Sequence, residues 1–334
     1  MSMISLGDLA QSFMLRRQNT DLKTDLQRLT TEMATGQATD IGRQVGGDFS
    51  PLAGIDASLA RLEGFKASTS EAALLSGAMQ TVLGRVEGMA SSLGPLLLAA
   101  SSAGTAIQIN AAGDEARQKL GTAIALYNTD ISGRALFAGK ATDSRAVMDV
   151  GALLAALDVE IIGATSALDV ETRVSAWFDG PTGYASVGYL GDDPLQALAV
   201  APGETAELGF TAADPGIRDT LKGLAMAALL NRGALAGNPQ ARADLARKAG
   251  ENLVNSQSSR ADMAARLGTT EGQIEAAAVR NSSETSALQI ARNAITGVDP
   301  YETATKLEAA RQQIETMYAL TARVSRLSLV DYLR

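Results

Sequence analysis

The sequence predicts a mainly α protein: a long antiparallel helical rod with terminal coiled-coil helices and a small acidic β-rich inserted domain. Three observations predict it. Leu15, Leu22, Leu26, Leu29 and Met33 near the start, and Leu307, Ile314, Met317, Leu320, Val324 and Leu327 near the end, recur at coiled-coil spacing. Inside these seams, apolar residues repeat at the helical period over two much longer stretches. Between those stretches, residues 141–216 hold twelve Asp or Glu against two Arg, a net of −10 in a chain of net −8. The predicted division is 1–40 with 296–334 as terminal assembly helices, 41–140 with 215–295 as a helical core, and 141–214 as a separate, solvated insert.

Residues 8–35 read as a first helix, with Gly36 as its stop. The glycine-rich run 36–50 reads as a linker. Ser50 then caps a long helix with Pro51 at its first position. Its apolar side runs from Leu52 and Ile55 through Met79 and Val86 to Leu93, where Gly94-Pro95 is expected to end or kink it. A second helix is expected from about Asp114 to Ser132, carrying Leu120, Ile124, Tyr127 and Ile131 on one face. In the acidic segment, Val150 to Leu157 fits a short helix or a strand. From Glu171, short runs around Val174, Trp177, Phe178, Tyr184, Val187, Tyr189 and Phe210 alternate with Gly, Pro and Asp turns, which reads as an antiparallel β unit. Helix returns at Asp214-Pro215. A very long helix is expected from about Gln240 to Ile295, with a seam at Leu267, Ile274, Asn281, Leu288 and Ile295. Gly297 to Pro300 interrupts it before the last helix.

Composition excludes several classes of function. With no cysteine and no histidine, disulfides, thiolate chemistry and the commonest metal ligand and general base are all ruled out. An acidic chain argues against nucleic-acid binding. No run approaches the ~20 apolar residues of a membrane helix. Arg16-Arg17 is followed by the polar run Gln18, Asn19, Thr20, Asp21, so no cleavable signal is expected. Asp21, Asp25, Glu308 and Glu315 spoil any basic membrane-binding face on the terminal helices.

Candidate chemical motifs each have a plainer reading. Gly133 to Lys140-Ala141 has one residue too many between its glycines for a phosphate loop, and Ala141 lacks the hydroxyl that would hold magnesium. Asp192-Asp193-Pro194 fits a turn better than a carboxylate pair. Trp177, Phe178, Tyr184 and Tyr189 fit a small core better than a ligand platform. Asn281, at a seam position, is expected to fix helix register at some expense in stability. No catalytic, cofactor or metal residue is assigned. The expected assembly interface is Leu15, Leu22, Leu26, Leu29 and Met33 with Ile314, Met317, Val324, Leu327 and Leu329.

Specific residues then carry a resemblance. The ending from Lys306 to Arg334, above all Leu-Ser-Leu-Val-Asp-Tyr-Leu at 327–333, resembles the C-terminus of the flagellin superfamily, closest to its hook-associated protein 3 branch. Ile131-Ser-Gly-Arg-Ala-Leu-Phe-Ala-Gly139 is similar to the segment closing that family's second core helix, and Leu29-Thr-Thr-Glu-Met-Ala-Thr-Gly36 to the end of its first. Where the family commonly has Asp-Asp-Pro, this chain has Asp48-Phe-Ser-Pro51. The resemblance implies a structural, non-enzymatic adaptor at the hook–filament junction of an extracellular bacterial flagellum. It implies export in an unfolded state through the flagellar type III apparatus, without a cleaved signal. The partners implied are hook-associated protein 1, flagellin, an export chaperone and further copies in a ring. The rival readings are flagellin itself and an exported coiled-coil effector or needle-tip protein.

Overall fold

The computed structural model describes the backbone of residues 6–332 and the side chains of residue 10 and residues 13–323. Ten helices appear among them: α1 Leu6–Thr35, α2 Ile41–Gln44, α3 Ser50–Ala103, α4 Ala106–Tyr127, α5 Val150–Glu160, α6 Ala167–Asp179, α7 Pro215–Asn231, α8 Pro239–Asn255, α9 Gln257–Thr296 and α10 Pro300–Tyr332. Strands are confined to two hairpins, β1 Asp130–Ile131 with β2 Arg134–Ala135, and β3 Leu198–Ala201 with β4 Glu204–Ala206. The protein is mainly α with a small β element. Contacts divide the chain into Met1–Leu62 with Ser283–Arg334, and Glu63–Ser282.

In the second unit, α3 and α9 run antiparallel: Glu87 pairs with Arg260, while Thr69 to Ser76 face Glu271 to Ala278. On α9 the buried positions are Arg260, Met263, Leu267, Thr270, Ile274, Ala277 and Asn281, a strict alternation of three and four. Past Ser282 the seam residues Leu288 and Ile295 are only half-buried. The loss of burial explains why the contacts divide near 282 rather than at the expected 295.

Helix α7 is the centre of this unit. From Gly216 to Leu230 nearly every residue is buried, and α4, α5, α6 and α8 all pack on it. The acidic segment shares this core: Leu153, Leu157, Val170, Val174 and Phe178 join one apolar cluster with Ala116, Leu120 and Leu224. It is therefore not a separate solvated body. Much of its charge is matched by cations from outside the segment: Asp158 pairs with Arg232, Glu171 with Lys248 at 2.5 Å, and Asp179 with Lys222 at 3.1 Å and Arg218 at 3.3 Å. Glu204 pairs likewise with Arg280.

Several elements depart from expectation for physical reasons. The run at 170–178 is helix, not strand. Val170, Val174, Trp177 and Phe178 lie at spacings of four, three and one, a single helical face, and Ser166 Oγ caps the start by accepting from Asp169 N at 3.2 Å. The β unit shrinks to the β3–β4 hairpin, turned by Pro202-Gly203 with Gly203 at φ +75°. Helix α4 starts earlier than expected, behind Gly104 and the Thr105 cap, and stops at Tyr127 because Ser132 and Gly133 both take positive φ in the β1–β2 turn. Helix α3 neither ends nor breaks at Pro95 but continues to Ala103, with Gly94 seated against Gly250 and Val254 of α8. Asp48, not Ser50, serves its first turn, its Oδ1 accepting from Ser50 N at 2.9 Å.

The long helix expected at 240–295 is two helices, broken at Ser256. Arg260 closes the break. Its guanidinium donates to Leu253 O at 3.1 Å and Ser256 Oγ at 2.7 Å, and it pairs with Glu87.

Candidate assembly surface

In the first unit, α1 and α10 pack against each other. They run antiparallel: the end of α1 meets the start of α10 through the Gln37–Gly297 bridge, and Lys23 lies 5.8 Å from the Tyr318 ring centroid further along. Gly36, at φ +70°, turns the chain, and Val298 N donates to Gly36 O while Ala38 N donates to Thr296 O. Asp299 Oδ1 caps α10 by accepting from Tyr301 N and Glu302 N, with Pro300 in the first turn.

The structure places Leu15, Leu22 and Leu26 half-buried and Leu29 buried on α1, and Ile314 half-buried and Met317 buried on α10. Thr303, Leu307 and Ala310 complete the α10 seam at alternating spacings of four and three. Two residues fall outside the expected register. Met33 is 45% exposed; Glu32 takes the inward position because its carboxylate accepts from Arg28 at 2.9 Å and from Thr39 N at 3.1 Å. Leu320 is 51% exposed, one step off the seam. The side chains of Val324, Leu327 and Leu329 lie outside the described residues.

Sequence reasoning missed a second set of residues. Phe13, Met14, Tyr301 and Tyr318 are at least half exposed, Tyr301 at 85%. A seam search does not find them, because they lie away from the apolar stripe. Lone exposed apolar residues are ordinary on a protein surface.

Asn281 is buried in the second unit. Its Nδ2 donates to Val200 O at 2.8 Å, while Ser68 Oγ on α3 donates to Ala199 O at 2.7 Å. The β3–β4 hairpin is thus fastened by its backbone to both long helices, through Asn281 on α9 and Ser68 on α3.

The remaining motifs take their plainer readings by positive contacts. Lys140 N already donates to Asp193 O at 2.9 Å and Asp192 N to Ala138 O, and a Cβ at Gly139 would collide with the carbonyls of Asp192 and Asp193. That backbone has no room for a phosphate. Trp177, Phe178 and Tyr184 form a buried ring cluster with centroids 4.9 to 6.1 Å apart, and Tyr184 OH donates to Ala212 O at 2.8 Å. Burial pushes both the Tyr184 and Tyr127 hydroxyls far up from the ordinary tyrosine range, so they are neutral packing groups. Among the described residues, no cluster of three metal-ligating side chains occurs, and no helix is long and apolar enough to cross a membrane.

Two antiparallel helices with a half-filled seam thus form the core of the first unit. Residues 252–333 of this chain match the family of the bacterial flagellin C-terminal helical region. FlgL of Bacillus cereus shares its fold: 16% identity and a TM-score of 0.51, over 72% of this chain and 100% of that one. A structure described as a flagellar hook-associated protein from Vibrio parahaemolyticus is 12% identical with a TM-score of 0.41, covering 71% of this chain and 95% of that one. No curated protein sequence matches.

Proposed function

We propose that the chain is the adaptor at the hook–filament junction, joining hook-associated protein 1 on the hook side to flagellin on the filament side. The observation that carries this reading is the α1–α10 seam: Leu15, Leu22, Leu26 and Ile314 remain half-open to solvent where a self-sufficient helical pair would bury them. Neighbouring copies complete the seam, with Leu29, Met317, Val324, Leu327 and Leu329 along the same helices and Met33, which faces solvent, meeting an adjacent subunit. A marginal helical pair of this kind gains its order from neighbours. The chain travels unfolded through the flagellar type III apparatus, with an export chaperone covering the C-terminal seam, and then assembles into a ring. The C-terminal run 327–333 favours the junction over the filament, since its resemblance is to the hook-associated branch.

A deletion strain tests the reading. Loss of motility with flagellin shed into the medium, restored by the intact gene, is the expected result. Long filaments grown from seeds by the purified protein alone would instead make it a filament subunit. Intact motility in the deletion strain would remove the flagellar assignment and leave the exported effector.

A further inference from the structure

Most helix-interior glycines fall into two groups. In α4, α7 and α8, Gly113, Gly216, Gly223 and Gly250 are packing glycines: a Cβ would come within 3.0 Å of Asn231 N, Ser259 O, Asn252 Oδ1 and Gly94 O respectively. In the two long helices only Gly94 packs in this way, against Val254 at 3.2 Å, while in α4 Gly121 meets nothing nearer than Val150 at 4.0 Å. Gly54, Gly64, Gly77, Gly84 and Gly88 of α3, and Gly268 and Gly272 of α9, would each place a Cβ in open space, with nothing within 4 Å. No close approach inside the chain calls for glycine at these positions, yet each weakens its helix relative to alanine by about fourfold in the local helix–coil equilibrium.

Other features weaken the same helices. Pro95 removes a ladder donor inside α3. Three arginines of α9 pair away from their own helix, Arg260 with Glu87, Arg280 with Glu204 and Arg292 with Asp56. Helix α8, by contrast, is braced along its own surface by Arg247 and Glu251 at 2.6 Å. Nor do the glycines make one contact face. Gly77, Gly84 and Gly88 share a side of α3, but Gly64, thirteen residues before Gly77, lies on a different side at the helical repeat.

We propose that these open glycines are a softening device: they let α3 and α9 open before the α4–α7–α8 bundle does, and so give unfolding for export a place to begin. The export half of this statement rests on the proposed function; the softening half does not.

The test uses the full chain and a variant carrying G64A, G77A, G84A, G88A, G268A and G272A. In the wild type, amides at 64–90 and 262–278 are expected to exchange with deuterium faster than those of α7, and in the variant to slow by roughly a hundredfold in the α3 stretch while α7 is unchanged. Equal protection of all helices in the wild type, or no slowing in the variant, overturns the proposal. In a motile host the variant is expected to be secreted several-fold more slowly, while the purified variant still assembles. Normal secretion overturns it: with failed attachment the glycines are a contact surface, and with normal attachment they have no role in export. If the wild type itself is not carried by the flagellar apparatus, the proposed function falls while the exchange result still decides the softening.

Discussion

At the scale of single residues, several buried polar groups, among them Asn281, Arg242 and Arg260, are held by backbone carbonyls. Asn281 is the example with the most at stake. Replacing it with leucine in a helix-to-helix seam would stabilise, but here it leaves Val200 O without that donor. Asn281→Leu is therefore expected to destabilise by about 1–3 kcal/mol, read as a lower urea midpoint with unchanged slope. A higher midpoint would return the residue to a seam role. Asp214 adds a pH dependence. Burial is the largest influence on its carboxyl and raises its pKa in the fold, against the Thr211 N–H donated at 2.8 Å and the field of Arg266, which lower it. An acid whose folded pKa lies above its unfolded value favours folding when protonated, so this contribution is fully present below the unfolded pKa and is lost as pH rises through the folded one. Asp214→Asn, which keeps an acceptor for Thr211 N, is expected to raise stability at neutral pH and to flatten this part of the pH profile. An unchanged profile between pH 4 and 7 would refute it.

At the scale of elements, periodicity was legible where one face is buried and misleading where composition and spacing disagree. The α9 seam from Met263 to Asn281 follows the heptad, because a helix facing one partner buries one stripe. Around Trp177 and Phe178, aromatic content suggests strand, while the 170–174–177–178 spacing is that of the helix that forms. The break at Ser256 leaves no trace in periodicity. It is stabilised by Arg260, a residue beyond the break whose burial no local pattern announces. Pro95 likewise reads as a stop, yet α3 passes through it. Pro95→Ala is expected to stabilise the chain by about 1–3 kcal/mol, seen as a melting temperature several degrees higher. A fall would mean that the proline sets a packing geometry at Gly94. On α10, Ile314→Asp is expected to abolish attachment of filaments while far-ultraviolet circular dichroism stays near wild type, since the residue is only half-buried in the monomer. Normal attachment would refute its place in the interface.

At the scale of the whole molecule, the two units differ in how far they complete their own cores. Residues 63–282 gather around α7 with an apolar cluster that takes in helices on both sides of the acidic segment. Residues of α1 and α10 leave much of their apolar surface in water. A chain trimmed of residues 1–40 and 296–334 is thus expected to remain a soluble, cooperatively folding monomer that cannot assemble. Collapse of the trimmed protein on heating, without a sharp transition, would show that the terminal helices support the remainder. The acidic segment also bears on solubility. Asp158, Glu171, Asp179 and Glu204, four of its twelve acids, are paired with cations from other parts of the unit, and the remainder keep the segment acidic.

By itself, the sequence determined the helical class, the course of the terminal helices and the α9 heptad as far as Asn281. All of these rest on local spacing or on residues adjacent in the chain, where a fixed helical repeat ties position to face. Only the tertiary structure decided that the acidic segment belongs to the central core, that Asn281 anchors a hairpin, that Arg260 closes a helix break, and that Glu32 rather than Met33 turns inward. Each depends on a partner far away in sequence or on a backbone group freed by a turn. Such groups acquire their partners only when the chain has folded around them.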